Sequence, residues 1–504
     1  MKGDFTRQTF DPRRHFTTVR MQQGRVQLDA DWNEEADLRL YRDETEATDV
    51  IGHCGGPLDA AAFGVVLDLN ALDPAEKSYL ADLDPKYKAI AAGDFVLTPG
   101  RYYVDGALCE SEHVVPYTRQ PDLPGLAPID VSKKGFTIVY LDVWQRHLTY
   151  LDDPLLRESA LGGPDTATRT KTVWQVRTVF AGSAAITCAD KPQPYLDATA
   201  DGTGVLSARA KREQQTPDPC IVPESAGYRG LENQLYRVEI HSEGAAYDLT
   251  AGPGDVSVTI AAPDKIVYTG PTGPWSVGTA VEVFRSAGGS DPMEGFVATI
   301  VANDTGTKTL TLSTSLPDIQ ASDLPRVRPV DATFKWSRDD GSVATLVTAV
   351  SGQDLTVASI GPDENLGFSA GQWVELTDEI TELDGKPGFL TVVDDVDPAT
   401  RIVTVRVAPP AFAGKIVKLR RWDGVGAVKT HPSGSTEPFI ELENGVQVSF
   451  AAGTYDTGDY WLIPARTATT DERSGTIEWP TENGEPVAQP PLGIRHHYCR
   501  LAIL

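Results

Sequence analysis

The sequence predicts a mainly β protein: several small antiparallel β-sandwich or barrel modules with one N-terminal α-helix. Tight-turn pairs recur between alternating apolar runs, at Asp105-Gly106, Asp340-Gly341 and Asn444-Gly445, with further Asp-Gly pairs at 384 and 423. Only one stretch carries strong helix-start signals. Residues 275–317 and 368–410 are copies of each other that align without a gap. Gly278 matches Gly371, Val281 and Glu282 match Val374 and Glu375, Asp291 matches Asp384, Gly295 and Phe296 match Gly388 and Phe389, and Pro317 matches Pro410. Leu310 and Leu312 stand against Val403 and Val405, so the conserved quantity is a strand pattern of period two, one small β-module per copy.

In order along the chain, the first 25 residues are polar, carry Arg7, Arg13, Arg14, Arg20 and Arg25, and show no sustained period, as in an extended arm. Asp31 then offers a cap with Glu34 three residues on, and Trp32, Ala36, Leu40, Val50 and Ile51 mark an apolar stripe, predicting a helix from about Trp32 to Val50. Its remaining face is crowded with acids and arginines, including the i,i+4 pair Glu35 and Arg39. A short helix is expected around Pro74 to Asp82. From Gly93 the chain turns to β: a hairpin over Phe95–Glu110, a long strand over Phe136–Tyr150 and another over Thr172–Phe180. Between the last two lies a loop with a Gly162-Gly163-Pro164 turn, whose charges Arg157, Glu158, Asp165 and Arg169 are candidates for binding. Residues 183–227 read as loop, Gly230–His241 as strand, and ATFKWSRDDGSVATLV as a hairpin leading into the second copy. The apolar LAIL end is expected to pair as a strand. The expected division is an arm and amphipathic helix (1–55), a connector (56–93), a β domain with long loops (94–246), the two copies (247–330 and 331–425) and a C-terminal β domain (426–504).

A net charge of −26 and a pI near 4.7 set the chain against nucleic acid and anionic membrane surfaces as partners. There is no bilayer-length apolar run and no signal-peptide core, so a soluble protein made in the cytoplasm is expected, without membrane insertion. The five cysteines are widely spaced with no CxxC pair, which fits a reduced protein; Cys188 and Cys220 flank one loop and are the one pair that suggests itself.

Residues that could carry chemistry give weak patterns. Gly367-Phe368-Ser369-Ala370-Gly371 matches a nucleophile elbow, but QWVELT after it reads as strand rather than helix, and the other copy breaks the pattern. Asp29-Ala30-Asp31-Trp32-Asn33-Glu34 starts like a calcium loop but lacks the glycine and the terminal bidentate glutamate. His497 and Cys499 share a strand face as potential metal ligands without a second ligand cluster, so no metal and no cofactor is expected. Glu375 and Asp378 form a carboxylate pair, of which only the glutamate recurs in the repeat. Trp422, Tyr460 and Trp461 are candidates for stacking on sugar or for the core. No catalytic residue emerges.

Several long stretches together resemble one family. They are MKGDFTRQTFDPRRHF, MQQGRVQLDADWNEEAD, YLDVWQRHLTYLDDPLLRESALGGPDTATRTKTVWQV, YRGLENQLYRVEIH, ATFKWSRDDGSV, GDYWLIPAR and IRHHYCRLAI. The chain is similar over nearly its whole length to a bacterial family built on a domain of unknown function, found in gene neighbourhoods of contractile, phage-tail-like injection systems. The resemblance implies a non-enzymatic structural component of such a particle, at its baseplate, fibre or spike. It implies other particle proteins as partners and, by analogy with tail fibres, a symmetric homo-oligomer such as a trimer. Attachment is expected through the arm and helix, at Arg13, Arg14, Trp32, Ala36 and Leu40. A carbohydrate-binding or glycan-degrading surface protein, and a cargo of the particle, are the alternatives.

Overall fold

Alternating apolar residues build a six-stranded antiparallel barrel around each duplicated stretch in the computed structural model. It describes residues 2–83, 89–161, 165–212, 227–249, 255–269, 275–286, 295–316, 319, 321–430, 439–467 and 475–504. Around the first barrel the order is Val256–Ala262, Lys265–Tyr268, Thr309–Leu312, Gly295–Asp304, Ala280–Phe284 and Arg326–Pro329, which returns to the first strand. The second runs Ala344–Ser351, Asp354–Val357, Ile402–Val405, Phe389–Asp397, Trp373–Asp378 and Val417–Trp422. Ile266, Val281, Val283, Leu310 and Val327 fill one interior; Leu355, Val374, Leu376, Val403 and Leu419 fill the other. Closure removes the exposed strand edges that so small a sheet would otherwise present. The matched Gly278 and Gly371 have φ of 93° and 87°, a left-handed conformation that glycine adopts without a Cβ penalty. The matched Asp291 and Pro317 lie outside the described residues, as does the Gly162-Gly163-Pro164 turn.

The chain forms two compact units. One consists of Gln8–Asp201 with Ile494–Leu504. Its centre is Phe136–Leu148, flanked by Arg169–Gly182 and by the C-terminal strand His496–Ile503. The Gly100–Val104 and Ala107–Ser111 hairpin, turning at Asp105-Gly106, contributes to a core of Phe63, Phe95, Leu141, Val143, Trp174 and Val176. The predicted short helix is present at Pro74–Leu83.

The other unit consists of Lys2–Arg7 with Gly202–Gly493. It contains both barrels and a five-stranded sheet ordered Gly424–Ala427, Thr333–Ser337, Gln234–Ser242, Tyr460–Arg466, Thr476–Ile477. A second sheet joins Ile440–Glu443, Val446–Phe450 and Leu206–Ala210, over a core of Tyr236, Val238, Phe334, Phe450, Tyr455, Trp461 and Ile463.

Several expectations change for one reason: strands far apart in sequence pair with one another. The 94–246 and 426–504 segments are not separate domains, since Gln234–Ser242 pairs with Tyr460–Arg466 and Phe136–Leu148 with His496–Ile503. Residues 183–227 hold a short helix, Gln193–Ala198, and a strand, Leu206–Ala210. ATFKWSRDDGSVATLV is not a hairpin. Asp340-Gly341 makes the tight turn, at φ 52° and 63°, but Thr333–Ser337 enters the five-stranded sheet and Ala344–Ser351 the second barrel. Asp384-Gly385 follows a short helix, Glu379–Leu383, and Gly424 begins a strand, so neither pair makes a hairpin turn.

Candidate functional site

The long helix runs Asp29–Ile51, beginning earlier than the capping pattern suggested. Asp31 sits in the first turn rather than at the cap, and its carboxylate accepts the Leu28 N–H at 3.4 Å. Ala30 and Leu38 are the buried side chains of this helix. Trp32, Ala36 and Leu40, each four residues on and therefore on one face, are exposed, Trp32 at 64%. The arm lies along this helix. Thr9 Oγ1 donates to Glu34 Oε2 at 2.6 Å, the Val19 N–H to Glu35 Oε2 at 2.8 Å, and the Phe10 ring stands 5.8 Å from Tyr41. The expected Glu35–Arg39 pair is present at 2.7 Å; the Val19 N–H first, then Arg39, hold the Glu35 carboxyl below its ordinary range. Burial, helped by Glu34, pushes Asp37 up to about 6. Arg13 is spent locally on Asp11 at 2.9 Å, and the Arg14 guanidinium lies 4.4 Å from the Phe16 ring. A groove of about 580 Å³ runs between arm residues Thr17–Met21 and the helix at Trp32, Glu35, Arg39 and Arg42. Phe16, Met21, Val26, Tyr41 and Val50 add further exposed apolar surface. The arrangement is a surface with an exposed tryptophan, further exposed apolar side chains and flanking charges.

The loop candidates are engaged by near neighbours. Arg157 lies 5.4 Å from the Tyr150 ring, Glu158 accepts the Ala160 N–H at 3.0 Å, Asp165 accepts the Tyr150 N–H at 3.5 Å, and Arg169 donates to the Thr168 carbonyl at 2.9 Å. Ser369 sits in a turn whose N–H donates to Gln372 Oε1, and the strand Trp373–Asp378 follows, not a helix. Asp378 caps Glu379–Leu383 through the Thr381 N–H at 2.8 Å, while Glu375 is buried against Lys335. Trp422 and Trp461 are fully buried, so neither is a platform for sugar. Cys220, the suggested partner of Cys188, lies outside the described residues. His496 and His497 point to different carboxylates, Asp142 at 2.7 Å and Asp105 at 3.0 Å. Among the described residues no three His, Cys, Asp or Glu side chains are grouped to hold a metal ion.

Sequence reasoning missed a buried ion network in the second unit. Glu239 receives Lys2 at 2.7 Å, Arg237 at 2.5 Å and Lys335 at 3.2 Å; Arg237 also reaches Asp340 at 3.1 Å, and Lys335 reaches Glu375 at 2.6 Å. Burial opposes ionisation of Glu239, but Lys2, Arg237 and Lys335 outweigh it and hold the carboxyl well below its usual range. The available signal was the alternation Arg237, Glu239, His241 along one strand face, which reads as a solvent-facing edge unless a second layer is known to cover it.

No curated protein and no solved structure matches the chain. A family model described as a family of unknown function (DUF6519) matches residues 1–203, 196–268 and 321–503. The match takes in the arm and helix, the strands around the ion network and the C-terminal strand, and the chain therefore belongs to this family of unknown function.

Proposed function

We propose that this protein is a non-enzymatic structural component of a contractile, phage-tail-like injection particle, at its baseplate, fibre or spike, attached through its N-terminal arm and helix. The observation that carries the reading is the exposed Trp32–Ala36–Leu40 stripe on a helix that turns Ala30 and Leu38, its buried side chains, to its own fold. A tryptophan left 64% exposed beside further apolar side chains is the composition of an interface centre before its partner arrives. The sequence resemblance to a family encoded beside such particles supplies the kind of partner, and the net charge of −26 disfavours nucleic acid. Rigid closed barrels suit a body that transmits load and has little need to move. The protein then acts as a symmetric oligomer, a trimer by analogy with fibres, within an intracellular or released particle. Of the residues offered for stacking on sugar, Trp422 and Trp461 lie in the core, and Tyr460 is half-buried with the Arg237 guanidinium 3.7 Å from its ring.

Point substitutions test this better than deletion of the arm, because Lys2–Arg7 belongs to the body through Lys2 and Glu239. Full-length W32A and L40A should fold as the wild type, since both side chains are exposed. Loss of the Trp32 anchor should weaken incorporation by about 2 kcal/mol, roughly thirtyfold. Incorporation of W32A/L40A at wild-type levels, measured on purified particles, would remove the attachment role. Light scattering of the purified chain checks oligomerisation, and a monomer at micromolar concentration would count against it.

A further inference from the structure

Two residues past the C-terminal cap of the long helix, Cys54 starts a short strand that pairs with Gly100–Val104, placing it opposite Val104. Cys499, on the C-terminal strand opposite Leu141, comes from the far end of the chain. Both are free thiols, and they line one cavity of about 590 Å³ together with Tyr102, Asp105, Cys188, Lys191 and Arg500. The Tyr102 hydroxyl stands 3.8 Å from the Cys499 sulfur, and the segments carrying the two cysteines meet at Asp105, which lies 2.7 Å from His53 Nδ1 and 3.0 Å from His497 Nδ1. Cys54 is exposed and Cys499 is buried at the cavity wall.

We infer that Cys54 and Cys499 form a redox pair that reacts with hydrogen peroxide, Cys499 attacking and Cys54 resolving. Both thiols border one cavity with room for a small oxidant, so the same molecule that reaches Cys499 passes Cys54. The Cys54 thiol, helped by Tyr102 and the Arg500 charge, holds the Cys499 thiol below its ordinary range, while the same bond to Cys499, with burial, pushes Cys54 up. Of the two, Cys499 is thus the sulfur that ionises more readily and Cys54 the one that keeps its proton.

The Cys499 thiolate attacks one peroxide oxygen; the O–O bond breaks, a sulfenic acid forms, and the departing hydroxide takes up the proton released when Cys499 ionised, leaving as water. The Cys54 sulfur then attacks the Cys499 sulfur, the S–O bond breaks, and hydroxide leaves with the Cys54 proton as a second water. One peroxide and two thiols give one disulfide and two waters. The product ties the segment that leaves the docking helix to the last strand of the same unit. It requires nothing of the injection-particle reading.

The test uses the full-length reduced protein exposed to stoichiometric hydrogen peroxide, then denatured, alkylated and mapped by mass spectrometry. A Cys54–Cys499 linked peptide with Cys109 and Cys188 still alkylated is expected. In C54S the oxidised Cys499 should persist as a sulfenic acid captured by dimedone. Full alkylation of Cys499 after peroxide overturns the pair, and so does consumption of Cys188 without the Cys54–Cys499 link. The wild-type mapping decides even if a variant fails to fold.

Discussion

Glu282 in the first barrel and Glu375 in the second occupy the same position of the repeat, and both are buried on the outer surface of their barrels, yet they are neutralised differently. Glu282 faces Arg328 across the ladder at 2.6 Å and Lys429 at 2.5 Å. Glu375 faces Arg420 across its own ladder, but that arginine turns to the Gly341 carbonyl. The counter-charge for Glu375 comes instead from Lys335 of the five-stranded sheet at 2.6 Å, with the Trp422 indole donating at 3.0 Å. The repeated glutamate is therefore the point at which each barrel is fastened to the surrounding unit. The barrels keep the anchor and change the cation that meets it.

The difference predicts unequal costs for the same substitution. In E282Q, Arg328 and Lys429 lose the carboxylate they share, with exposures of 3% and 2% that keep water from replacing it; a loss of about 5 kcal/mol is expected. In E375Q, Lys335 keeps Glu239 at 3.2 Å, so the loss should be nearer the lower end of buried-pair costs, about 3 kcal/mol. Urea unfolding of the full-length variants checks the order. Equal midpoints would mean that the two networks are interchangeable.

A smaller effect tests the glycine that travels with the anchor. A Cβ on Gly295 would fall 2.2 Å from Glu282 Oε1, and one on Gly388 2.6 Å from Glu375 Cγ, so the repeat keeps glycine to leave room for the carboxylate. G295A and G388A should each cost about 2 kcal/mol by displacing the glutamate from its cation. The double variants E282Q/G295A and E375Q/G388A should lose less than the sum of the singles, because the clash and the pair share one side chain. Strict additivity would separate the glycine from the anchor.

The sequence exposed this architecture unevenly, and for physical reasons. Three strands of each barrel lie within the visible repeat, because Ala280–Phe284, Gly295–Asp304 and Thr309–Leu312 superimpose on their counterparts without a gap. Arg326–Pro329 and Val417–Trp422 escape it: Glu282 pairs with Arg328 and Glu375 with Arg420, one residue out of step with the repeat, so letter-by-letter comparison fails just where the ladder closes. Mainly β content was legible because period-two alternation is a local signal. The pairing of Gln234–Ser242 with Tyr460–Arg466 was not, since nothing local to either strand names its partner. The helix stripe was legible as a pattern, and only the fold shows that Ala30 and Leu38, not Trp32, face inward. Cys54 and Cys499 escaped because a pair from opposite ends of the chain has no spacing signature.

The smallest expected effect at neutral pH concerns Lys2, which extends the Glu375 network and has no counterpart at Glu282 among the described residues. Burial first of all, against the pull of Glu239, lowers the Lys2 ammonium from 10.5 to about 8. Between those two pH values the unfolded chain binds the proton and the folded chain does not, so the Lys2 contribution to stability is present above 10.5 and is lost as the pH falls through about 8. At neutral pH burial therefore works against the charged form, and Glu239 offsets it only in part. Glu239 keeps Arg237 at 2.5 Å and Lys335 at 3.2 Å without it. K2M should consequently stay within about 1 kcal/mol of the wild type at pH 7, as an apolar replacement of a partly desolvated charge often does. Its stability should fall progressively below the wild type as the pH is raised from 8 toward 10.5, because only the wild type gains there. A wild-type-minus-K2M difference that stays flat over that range, measured by urea unfolding at each pH, would show that the arm leaves its lysine in water and that the second barrel's anchor is as self-contained as the first.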